Sequence, residues 1–475
     1  MKKIIIYIAI LSLFSACELQ EDPKGLTTPG QFFQNEDEID QFLIGAYTPL
    51  SVYDFYGMAW WNIAEAINDQ VTCRVDLRSS FAFDVPGDGR PLLWKAIYSG
   101  INSTNLLING VNEATMLSDQ QRAQYLAEAR FLRGLYYFHA IVAYGNVPLI
   151  VETTPFEEAM TIGRSDVNII WDQIVSDLTY AAENGREPYG GIKSRADKWT
   201  ALAFLSRVYL YKGDFANASQ AAQRVKREGP YRLLPDFDDV FLESHEQSEE
   251  VVFSVEFLQN VRTSSYASFF TARADKEPSS TPGLIWNGWG SNAVATGLTT
   301  FFEAGDKRKD QTVVNTNWLD NDKPFVTNAW NFGPKFWDFE NPRAQSAKDF
   351  LVMRYAEVLL NLAEAENEAN GTTDIAYQAL NEVRNRAGLP ALSGLSKEQF
   401  RERVRHDRGA ELAGEGHRKW DLLRWGIWLE TMKSLPDADI PPVGRQNISD
   451  RFALLPIPDV EIAKNPNLLP NNPGY

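Results

Sequence analysis

The densest group of side chains able to move protons lies in residues 411–425. Glu415, His417 and Asp421 fall within seven positions of one another, and carboxyl groups beside an imidazole are a usual set for general acid–base catalysis. The segment can also form a helix whose charged groups pair with one another and with the backbone. The apolar residues that would then pack inside are Leu412, Trp420, Leu423 and Trp425. We favour this structural role over the catalytic one.

The rest of the sequence offers little catalytic machinery. It contains no phosphate-binding glycine loop, no nucleophile elbow and no HExxH metal motif. The four histidines are far apart and lack the spacing of metal ligands; they are His139, His245, His406 and His417. With only Cys17 and Cys73, the chain has neither a disulfide framework nor a cysteine zinc site. We therefore predict no catalytic residue, no metal and no cofactor.

The excess of acidic residues argues against two classes of partner. Acidic residues outnumber basic ones by 63 to 46, which gives a net charge of −17 and a pI near 4.9. Binding to nucleic acid or docking on anionic lipid needs a basic surface that faces the phosphates. We therefore expect no nucleic-acid partner and no purely electrostatic attachment to a membrane. The content of 44% hydrophobic and 23% charged residues is that of a globular protein.

Residues 1–16 have the features of a secretory signal peptide. Two lysines precede an apolar run over 4–14, which is too short to cross a bilayer as a helix. Small residues then precede Cys17, as in the bacterial lipobox, where the cysteine is lipidated and becomes the new N-terminus. The acidic stretch at 18–22 resembles the surface-export signal of Bacteroidetes lipoproteins. We predict a soluble mature chain, tethered to the outer membrane through lipid on Cys17 and exposed at the cell surface.

Apolar spacing predicts that most of the mature chain is helical. Residues 196–228 are predicted to form a helical hairpin with spacing close to that of tetratricopeptide repeats. Residues 351–387 are predicted to form a second hairpin, with its turn at 371–374. Further helices are predicted over 119–144, with Asp119 as its N-cap, over 166–184 and over 396–430.

An irregular insertion separates two helical regions. The helical repeats cover about 40–230 and 351–430, and the insertion covers about 232–350, which is rich in Gly, Asn, Thr, Pro and aromatic residues. Its clearest strand signal is the alternation over 250–256, which places Val251, Phe253 and Val255 on one face. We predict one mainly α domain over 17–475: a tetratricopeptide-like helical-repeat scaffold with a long, loop-rich insertion that carries the ligand site.

Four segments resemble those of a known family. Residues 351–365 read LVMRYAEVLLNLAEA, residues 380–389 read LNEVRNRAGL, and residues 408–425 read RGAELAGEGHRKWDLLRW. Together they resemble the C-terminal half of the SusD/RagB family of nutrient-binding outer-membrane lipoproteins. Residues 125–148 are similar to the N-terminal half of that family, so the resemblance spans nearly the whole mature chain.

The resemblance implies a binding protein and not an enzyme. Members of the family sit as a lid over a SusC-like TonB-dependent transporter, bind glycan fragments or occasionally peptides, and pass them to the barrel. The shared motifs build the scaffold, which supports the structural role of His417. A SusC-like transporter and an oligosaccharide are thus the implied partners, but the motifs transfer no ligand site, because binding residues vary between members.

The tryptophan distribution indicates where a glycan would bind. Residues 266–340 hold five of the 13 tryptophans, in a context rich in Asn and Gly. An aromatic ring matches the apolar C–H face of a sugar, while Asn, Asp and Arg match its hydroxyl rim. From this segment and the polar loop at 68–91, the candidate ligand residues are Trp286, Asn287, Trp289, Asn292, Trp330, Asp69 and Arg78. We expect two of the five tryptophans to face solvent, and Trp60, Trp61 and Trp94 to lie in the core.

Other functions remain open at this stage. A surface glycoside hydrolase would need two carboxyl groups about 5–10 Å apart in a cleft. A pure tetratricopeptide interaction scaffold would lack an exposed tryptophan platform. A peptide or glycopeptide could also replace the glycan as ligand of the same scaffold.

The lipobox makes a testable prediction about membrane attachment. We expect Cys17→Ala to leave a folded chain that moves from the membrane fraction to the soluble fraction, because it removes the acylated thiol. Cys73→Ala is the matched control and should stay with the membrane. Cell fractionation followed by immunoblotting measures both variants. A Cys17→Ala chain that remains in the outer membrane would contradict the lipid anchor.

Overall fold

The computed structural model describes residues 33–73, 90–270, 292–315, 330–338, 345–440 and 442–475. Over these residues the chain is mainly helical, which confirms the predicted fold class, and its strands form two-stranded sheets. No helix in the described ranges is both long and apolar enough to cross a bilayer.

The helices are unevenly distributed along the chain. The first group is α1 (Glu36–Tyr47), α2 (Ala59–Glu65), α3 (Arg90–Glu113), α4 (Asp119–Tyr144), α5 (Phe156–Ala159), α6 (Val167–Asn184), α7 (Lys198–Lys212) and α8 (Phe215–Glu228). Two short helices follow in the predicted insertion, α9 (Tyr266–Phe270) and α10 (Lys309–Thr312). The last group is α11 (Tyr355–Asn370), α12 (Asp374–Arg386), α13 (Lys397–Glu411), α14 (Arg418–Arg424), α15 (Trp428–Ser434), α16 (Pro442–Asn447) and α17 (Asp459–Lys464).

The strands pair over long sequence distances. They are β1 (Val71–Cys73), β2 (Val251–Val255), β3 (Asn292–Val294), β4 (Val313–Asn315), β5 (Trp330–Phe332) and β6 (Phe350–Arg354). The antiparallel pairs are β1–β3, β2–β6 and β4–β5.

Seven helices form one continuous stack in the order α3, α4, α6, α7, α8, α11, α12, each packed against the next. Residues 229–354 intervene between α8 and α11, yet the two helices are neighbours. The pairs α7–α8 and α11–α12 are the two predicted hairpins. The turn between α7 and α8 contains Gly213 at φ 77°, a left-handed conformation that costs glycine little.

Side-chain caps define where the long helices begin. Ser118 caps α4 by accepting a hydrogen bond from Gln121 N, and the Gln121 side chain accepts one from Ser118 N. The predicted cap, Asp119, was therefore wrong by one residue, because this reciprocal capping box fixes the boundary. Asp166 caps α6 and Asp197 caps α7. In both caps the aspartate side chain accepts hydrogen bonds from backbone N–H groups of the first turn.

One predicted helix and one predicted hairpin differ in extent from the structure. The predicted helix over 396–430 is interrupted after Glu411 and resumes as α14 and α15. Gly414, Gly416 and Gly426 have φ values of 72°, 83° and 71°, which a continuing α-helix does not allow. The second predicted hairpin starts later than expected, because residues up to Arg354 belong to strand β6.

The β2–β6 pair closes the base of the insertion. Val251 lies opposite Arg354 and Val255 lies opposite Phe350, so the chain leaves and returns at one place. All five β2 residues are buried, so both faces of the strand are covered. One face meets the helical stack, where the Phe253 ring lies 5.4 Å from Phe131 of α4.

Buried ion pairs join the insertion to the last helices. Arg354 binds Glu411 at 2.6 Å and Glu415 at 2.7 Å. It also meets Glu250, the residue before β2, at 3.0 Å. Arg386 of α12 binds Glu411 at 2.5 Å and Glu250 at 3.0 Å. All five side chains are almost completely shielded from solvent.

Two cations from the insertion complete this cluster. Arg308 contacts Glu411 at 3.3 Å and Asp306 at 2.7 Å, and Lys335 contacts Glu415 at 2.6 Å. Burial alone would raise the pKa of Glu411, but Arg386, Arg354 and Arg308 reverse this and hold the pKa well below its ordinary value. Glu411 is therefore ionised within the core.

Two histidines are buried as neutral rings. His139 Nδ1 donates to Leu135 O at 2.7 Å, and its Nε2 accepts from the Tyr56 hydroxyl at 2.6 Å. Burial lowers the pKa of His139 to about 3 and that of His417 to about 4. Both imidazoles are thus uncharged at neutral pH, and protonation would place an extra cation in the core.

We expect Arg354→Met to lower the free energy of unfolding by about 3–5 kcal/mol, because it leaves buried carboxylates without their main partner. Arg232→Met is the matched control. Arg232 pairs with Glu249 at the surface, where water screens both charges, and its loss should have only a marginal effect. Urea denaturation measures both variants. Equal losses would contradict a special role for the buried cluster.

We expect the stability of the wild-type protein to fall as the pH drops from about 6.5 towards 4. In this window an unfolded chain protonates His417, whereas the folded chain, with a pKa of about 4, does not. His417→Gln should remove up to about 3 kcal/mol of this pH dependence. His245→Gln, at a half-buried position, is the control and should retain the wild-type profile. Unchanged pH dependence in His417→Gln would contradict the neutral buried ring.

Candidate functional site

The β1–β3 pair brings two predicted ligand segments to the same place. Cys73, the last residue of β1, lies opposite Asn292, the first residue of β3. Because the strands are antiparallel, the segment after Cys73 leaves the sheet where the segment before Asn292 enters it. Sequence reasoning proposed these two segments separately and had no signal that they meet.

The β4–β5 pair adds a third candidate segment. Trp330, the first residue of β5, lies opposite Asn315, the last residue of β4. Strand β5 in turn lies against β3. We call β1, β3, β4 and β5 together the loop frame, since β1, β3 and β5 contain or border predicted ligand residues and β4 pairs with β5.

Asp439 fixes the loop frame to the C-terminal part of the chain. Its Oδ1 accepts hydrogen bonds from Thr296 N and Thr296 Oγ1, both at 2.9 Å. Its backbone oxygen accepts from Thr72 Oγ1 of β1 at 2.7 Å. One buried residue thus contacts both β1 and the segment just after β3. Sequence analysis did not identify Asp439, because an aspartate in a Pro-rich tail has no distinguishing pattern.

Asp69 is the candidate ligand residue whose side chain the structure describes. Its two oxygens accept from Arg418 Nε and Nη2, each at 2.7 Å. The Arg418 guanidinium lies 4.9 Å from the centre of the Phe301 ring, a stacked position that adds to the ion pair. Asp69 is thus held by the protein itself, and this bidentate pair fixes the start of β1 to α14.

The turn before β1 is also anchored. Asn68 Oδ1 accepts from Gln70 N at 2.8 Å and from Val71 N at 3.1 Å, while Asn68 Nδ2 donates to Glu65 at 2.8 Å. The other Glu65 oxygen accepts from Gly416 N at 2.6 Å. Burial raises the pKa of Glu65 to about 7. This network connects β1 with the glycine turn that precedes α14.

Most predicted ligand side chains lie outside the described residues. These are Arg78, Trp286, Asn287 and Trp289, and Cys17 lies outside them as well. For Asn292 and Trp330 the structure gives the backbone only. Trp337 is buried, and its Nε1 donates to Phe332 O at 3.1 Å. Trp60, Trp61 and Trp94 are buried as predicted, whereas the expected exposure of two insertion tryptophans stays a prediction.

The possible acid–base set is engaged in structural ion pairs. Glu415 binds Arg354 and Lys335 in the buried cluster. Asp421 binds Arg408 at 2.7 Å and Arg424 at 2.9 Å. These contacts favour the structural role predicted for the segment.

A second set of ion pairs surrounds His417. Its Nε2 lies 3.8 Å from Glu357, whose other contacts include Arg207 at 2.5 Å. Burial opposes ionisation of Glu357, but Arg207 and His417 lower its pKa to about 2. In the described ranges, no three His, Cys, Asp or Glu side chains are grouped so that they could hold a metal ion.

Comparison with known proteins relates both halves of the chain to one family. The family model described as "Starch-binding associating with outer membrane" matches residues 20–210. The model described as "SusD family" matches residues 283–475. Together they cover α1 to α6, most of α7, the loop frame and the last group of helices.

Individual relatives extend over the full length. SusD-like protein P25 of Formosa agariphila is 29% identical over an alignment that covers 100% of this chain and 99% of the relative. Among solved structures, a laminarin binding SusD-like protein has a TM-score of 0.80 at 24% identity, covering 93% of this chain and all of that one. Surface glycan-binding protein A from Bacteroides fluxus gives the same four values.

These two structures show that the fold is shared, and the matches to both family models agree with the motifs seen in the sequence. Since models of this family match both halves and SusD-like relatives extend over the full length, the chain belongs to the SusD/RagB family.

Proposed function

We propose that this protein captures an oligosaccharide at the loop frame and delivers it to a SusC-like TonB-dependent transporter. The pairing of Cys73 with Asn292 is the observation that carries the ligand site. It joins the segment that contains Arg78 to the segment that contains Trp286 and Trp289. Membership of a glycan-binding family supports the ligand class.

Chain connectivity limits how far the candidate residues lie from the frame. A chain extends at most about 3.6 Å per residue, so the Cα of Trp289 is within about 11 Å of the Asn292 Cα. The Cα of Arg78 is within about 18 Å of the Cys73 Cα by the same limit. Trp289 and Arg78 are therefore both tied to the Cys73–Asn292 pair, the first by three residues of chain and the second by five.

The chemistry of these residues suits a sugar. Trp286 and Trp289 can each cover the C–H face of one unit, while Asn287, Asn292 and Arg78 can bond its hydroxyl groups. Trp330, the first residue of β5, belongs to the same frame. Since Asp69 is already held by Arg418, its role in the proposed site is to position β1.

The ion pairs of the described carboxylates agree with a protein that binds a glycan without hydrolysing it. A glycosidase needs one carboxyl group to donate a proton and another free to attack or to activate water. Glu415 and Asp421 are instead each bound by two cations. The names of the relatives describe binding, and we propose that this protein is likewise not an enzyme.

The proposed location follows from the N-terminus. Lipid on Cys17 would tether the chain to the outer membrane, with the folded part at the cell surface. Loss of residues 1–16 removes two lysines and brings the net charge from −17 to −19. A protein with this charge meets its membrane partner through protein contacts and not through anionic lipid.

Removal of either ring of the proposed platform should weaken glycan binding. Stacking of an aromatic side chain on a base contributes about 1–3 kcal/mol, which as an upper range for a sugar gives a loss of roughly 5- to 150-fold per ring. We expect Trp286→Ala and Trp289→Ala to show this loss in calorimetry. The first probes are oligosaccharides from laminarin and starch, the ligands named for relatives.

The exposed aromatic Phe156, on α5, supplies the control Phe156→Ala, which should bind as the wild type does. Melting temperatures of all three variants separate a loss of binding from a loss of folding. If both tryptophan variants bind an oligosaccharide as tightly as the wild type, the platform is wrong and the site lies elsewhere.

A further inference from the structure

Glu65, the last residue of α2, is a completely buried carboxyl group that joins two distant parts of the chain. Its Oε1 accepts a hydrogen bond from Gly416 N at 2.6 Å, in the glycine turn before α14. Its Oε2 accepts from Asn68 Nδ2 at 2.8 Å, in the turn before β1. The position of the turn before β1 relative to the glycine turn therefore depends on this one carboxyl group.

Asn68 connects Glu65 to the loop frame through backbone hydrogen bonds. Its Oδ1 accepts from Gln70 N at 2.8 Å and from Val71 N, the first residue of β1, at 3.1 Å. Gln70 O in turn accepts from Ala295 N at 2.9 Å, directly after β3. The Asn68 side chain therefore fixes the place where β1 begins and meets the segment after β3.

Both contacts of Glu65 require an ionised carboxylate. The Gly416 N–H and the Asn68 amide N–H are donors, so a proton on Glu65 would have no acceptor at either contact. The Asn68 amide cannot turn to offer its oxygen instead, because that oxygen already accepts two backbone hydrogen bonds. Protonation of Glu65 would therefore displace either the glycine turn or Asn68 from its present position.

The surroundings of Glu65 bring its titration close to neutral pH. Burial opposes ionisation and raises the pKa of Glu65, whereas the hydrogen bonds from Asn68 and Gly416 favour the charged form and lower it. The resulting pKa is about 7. Near neutral pH both protonation states are therefore populated, and only the ionised one suits the geometry described above.

The charged and titratable groups that face Glu65 come from three other segments. Lys335 favours its ionisation and Glu415 opposes it, and these two groups contact each other at 2.6 Å. Tyr266 of α9 also faces Glu65, and burial raises the pKa of its hydroxyl well above the ordinary value, so Tyr266 is uncharged at neutral pH. Charged residues of α14 are held in ion pairs of their own, namely Arg418–Asp69, Asp421–Arg408 and Arg424–Glu364.

We propose that Glu65 is a positioning residue of the ligand site, and that its ionised carboxylate keeps Asn68 and β1 in the geometry that binds an oligosaccharide. This rests on the proposed function, in which β1 leads into the segment that contains Arg78. The oligosaccharide then binds the ionised form in preference to the protonated one. By linkage, its binding releases the proton from those molecules in which Glu65 is protonated.

Calorimetry at pH 6 and pH 8 tests this coupling in the wild-type protein. The probes are oligosaccharides from laminarin and starch, which have no group that titrates in this range. With the pKa of Glu65 at about 7, roughly one tenth of the molecules are ionised at pH 6 and roughly nine tenths at pH 8, so the affinity should be about ten-fold weaker at pH 6. At pH 7, binding should release about half a proton per ligand, which is measured from the dependence of the binding enthalpy on the buffer.

Glu65→Gln imitates the protonated carboxyl group, because it keeps one acceptor and replaces the other by a donor. At pH 8 it should bind about ten-fold more weakly than the wild type, and its affinity should be the same at pH 6 and release no proton. The variant keeps Lys335, so any pH dependence that comes from this lysine would remain in it.

Asp349→Asn is the matched control. Asp349 is also buried, and its pKa is raised to about 8, mainly by burial. Its oxygens accept from Ser254 Oγ and Phe257 N, both at 3.2 Å, near the end of β2 and outside the loop frame. This variant should keep the wild-type change of affinity between pH 6 and pH 8.

The outcomes separate this inference from the function on which it rests. A wild-type protein that binds neither oligosaccharide at pH 8 would overturn the proposed function and this inference with it. Binding with equal affinity at both pH values and without proton release would overturn the role of Glu65 alone, as would a Glu65→Gln protein that keeps the pH dependence.

Melting temperatures at both pH values show whether each variant is folded. If Glu65→Gln does not fold, Asn68→Ala is the second variant, since it leaves the Glu65 carboxyl group in place and removes its connection to β1. Asn68→Ala should bind more weakly than the wild type at pH 8 and release no proton at pH 7. Proton release that equals the wild-type value in Asn68→Ala would overturn the proposal.

Discussion

The salt bridge between Arg354 and Glu411 joins the last residue of β6 to the last residue of α13. Glu411 also meets Arg386 from α12 and Arg308 from the insertion. None of these charges reaches water, so each is tolerable only while its partners stay in place. These ion pairs therefore fix the end of β6 relative to the end of α13. They also fix the start of the turn that leads from α13 to α14.

This constraint explains how an interrupted stack remains continuous. Helices α8 and α11 pack together only if the insertion leaves and returns at one place, which the β2–β6 pair ensures. The same pair covers part of the stack, since the Phe253 ring lies against Phe131 and Arg207 of α7 donates to Val352 O at 2.6 Å. That surface of α4 and α7 is not available to a ligand.

The helices were predicted well, because apolar spacing and capping residues can be recognised within short stretches of sequence. These local signals failed where contacts between distant residues determine the local structure. The glycine turn within 412–417 places Glu415 against Arg354, and a helical pattern alone does not show that the helix must break there. Partners such as Asp69 and Arg418, or Cys73 and Asn292, are hundreds of residues apart. Sequence analysis could therefore nominate Asp69 as a polar loop residue but could not foresee that Arg418 holds both of its oxygens.

In the loop frame, the contacts that hold the strands together differ from the side chains that we propose to bind the ligand. Its strands are joined by backbone pairing, as between Cys73 and Asn292, and are anchored from outside the loops by Asp439 and Arg418. Neither kind of contact uses the side chains of residues 74–89 or 271–291. One scaffold can in this way present different ring and hydrogen-bonding patterns to different sugars, while the buried charges around Glu411 remain as they are.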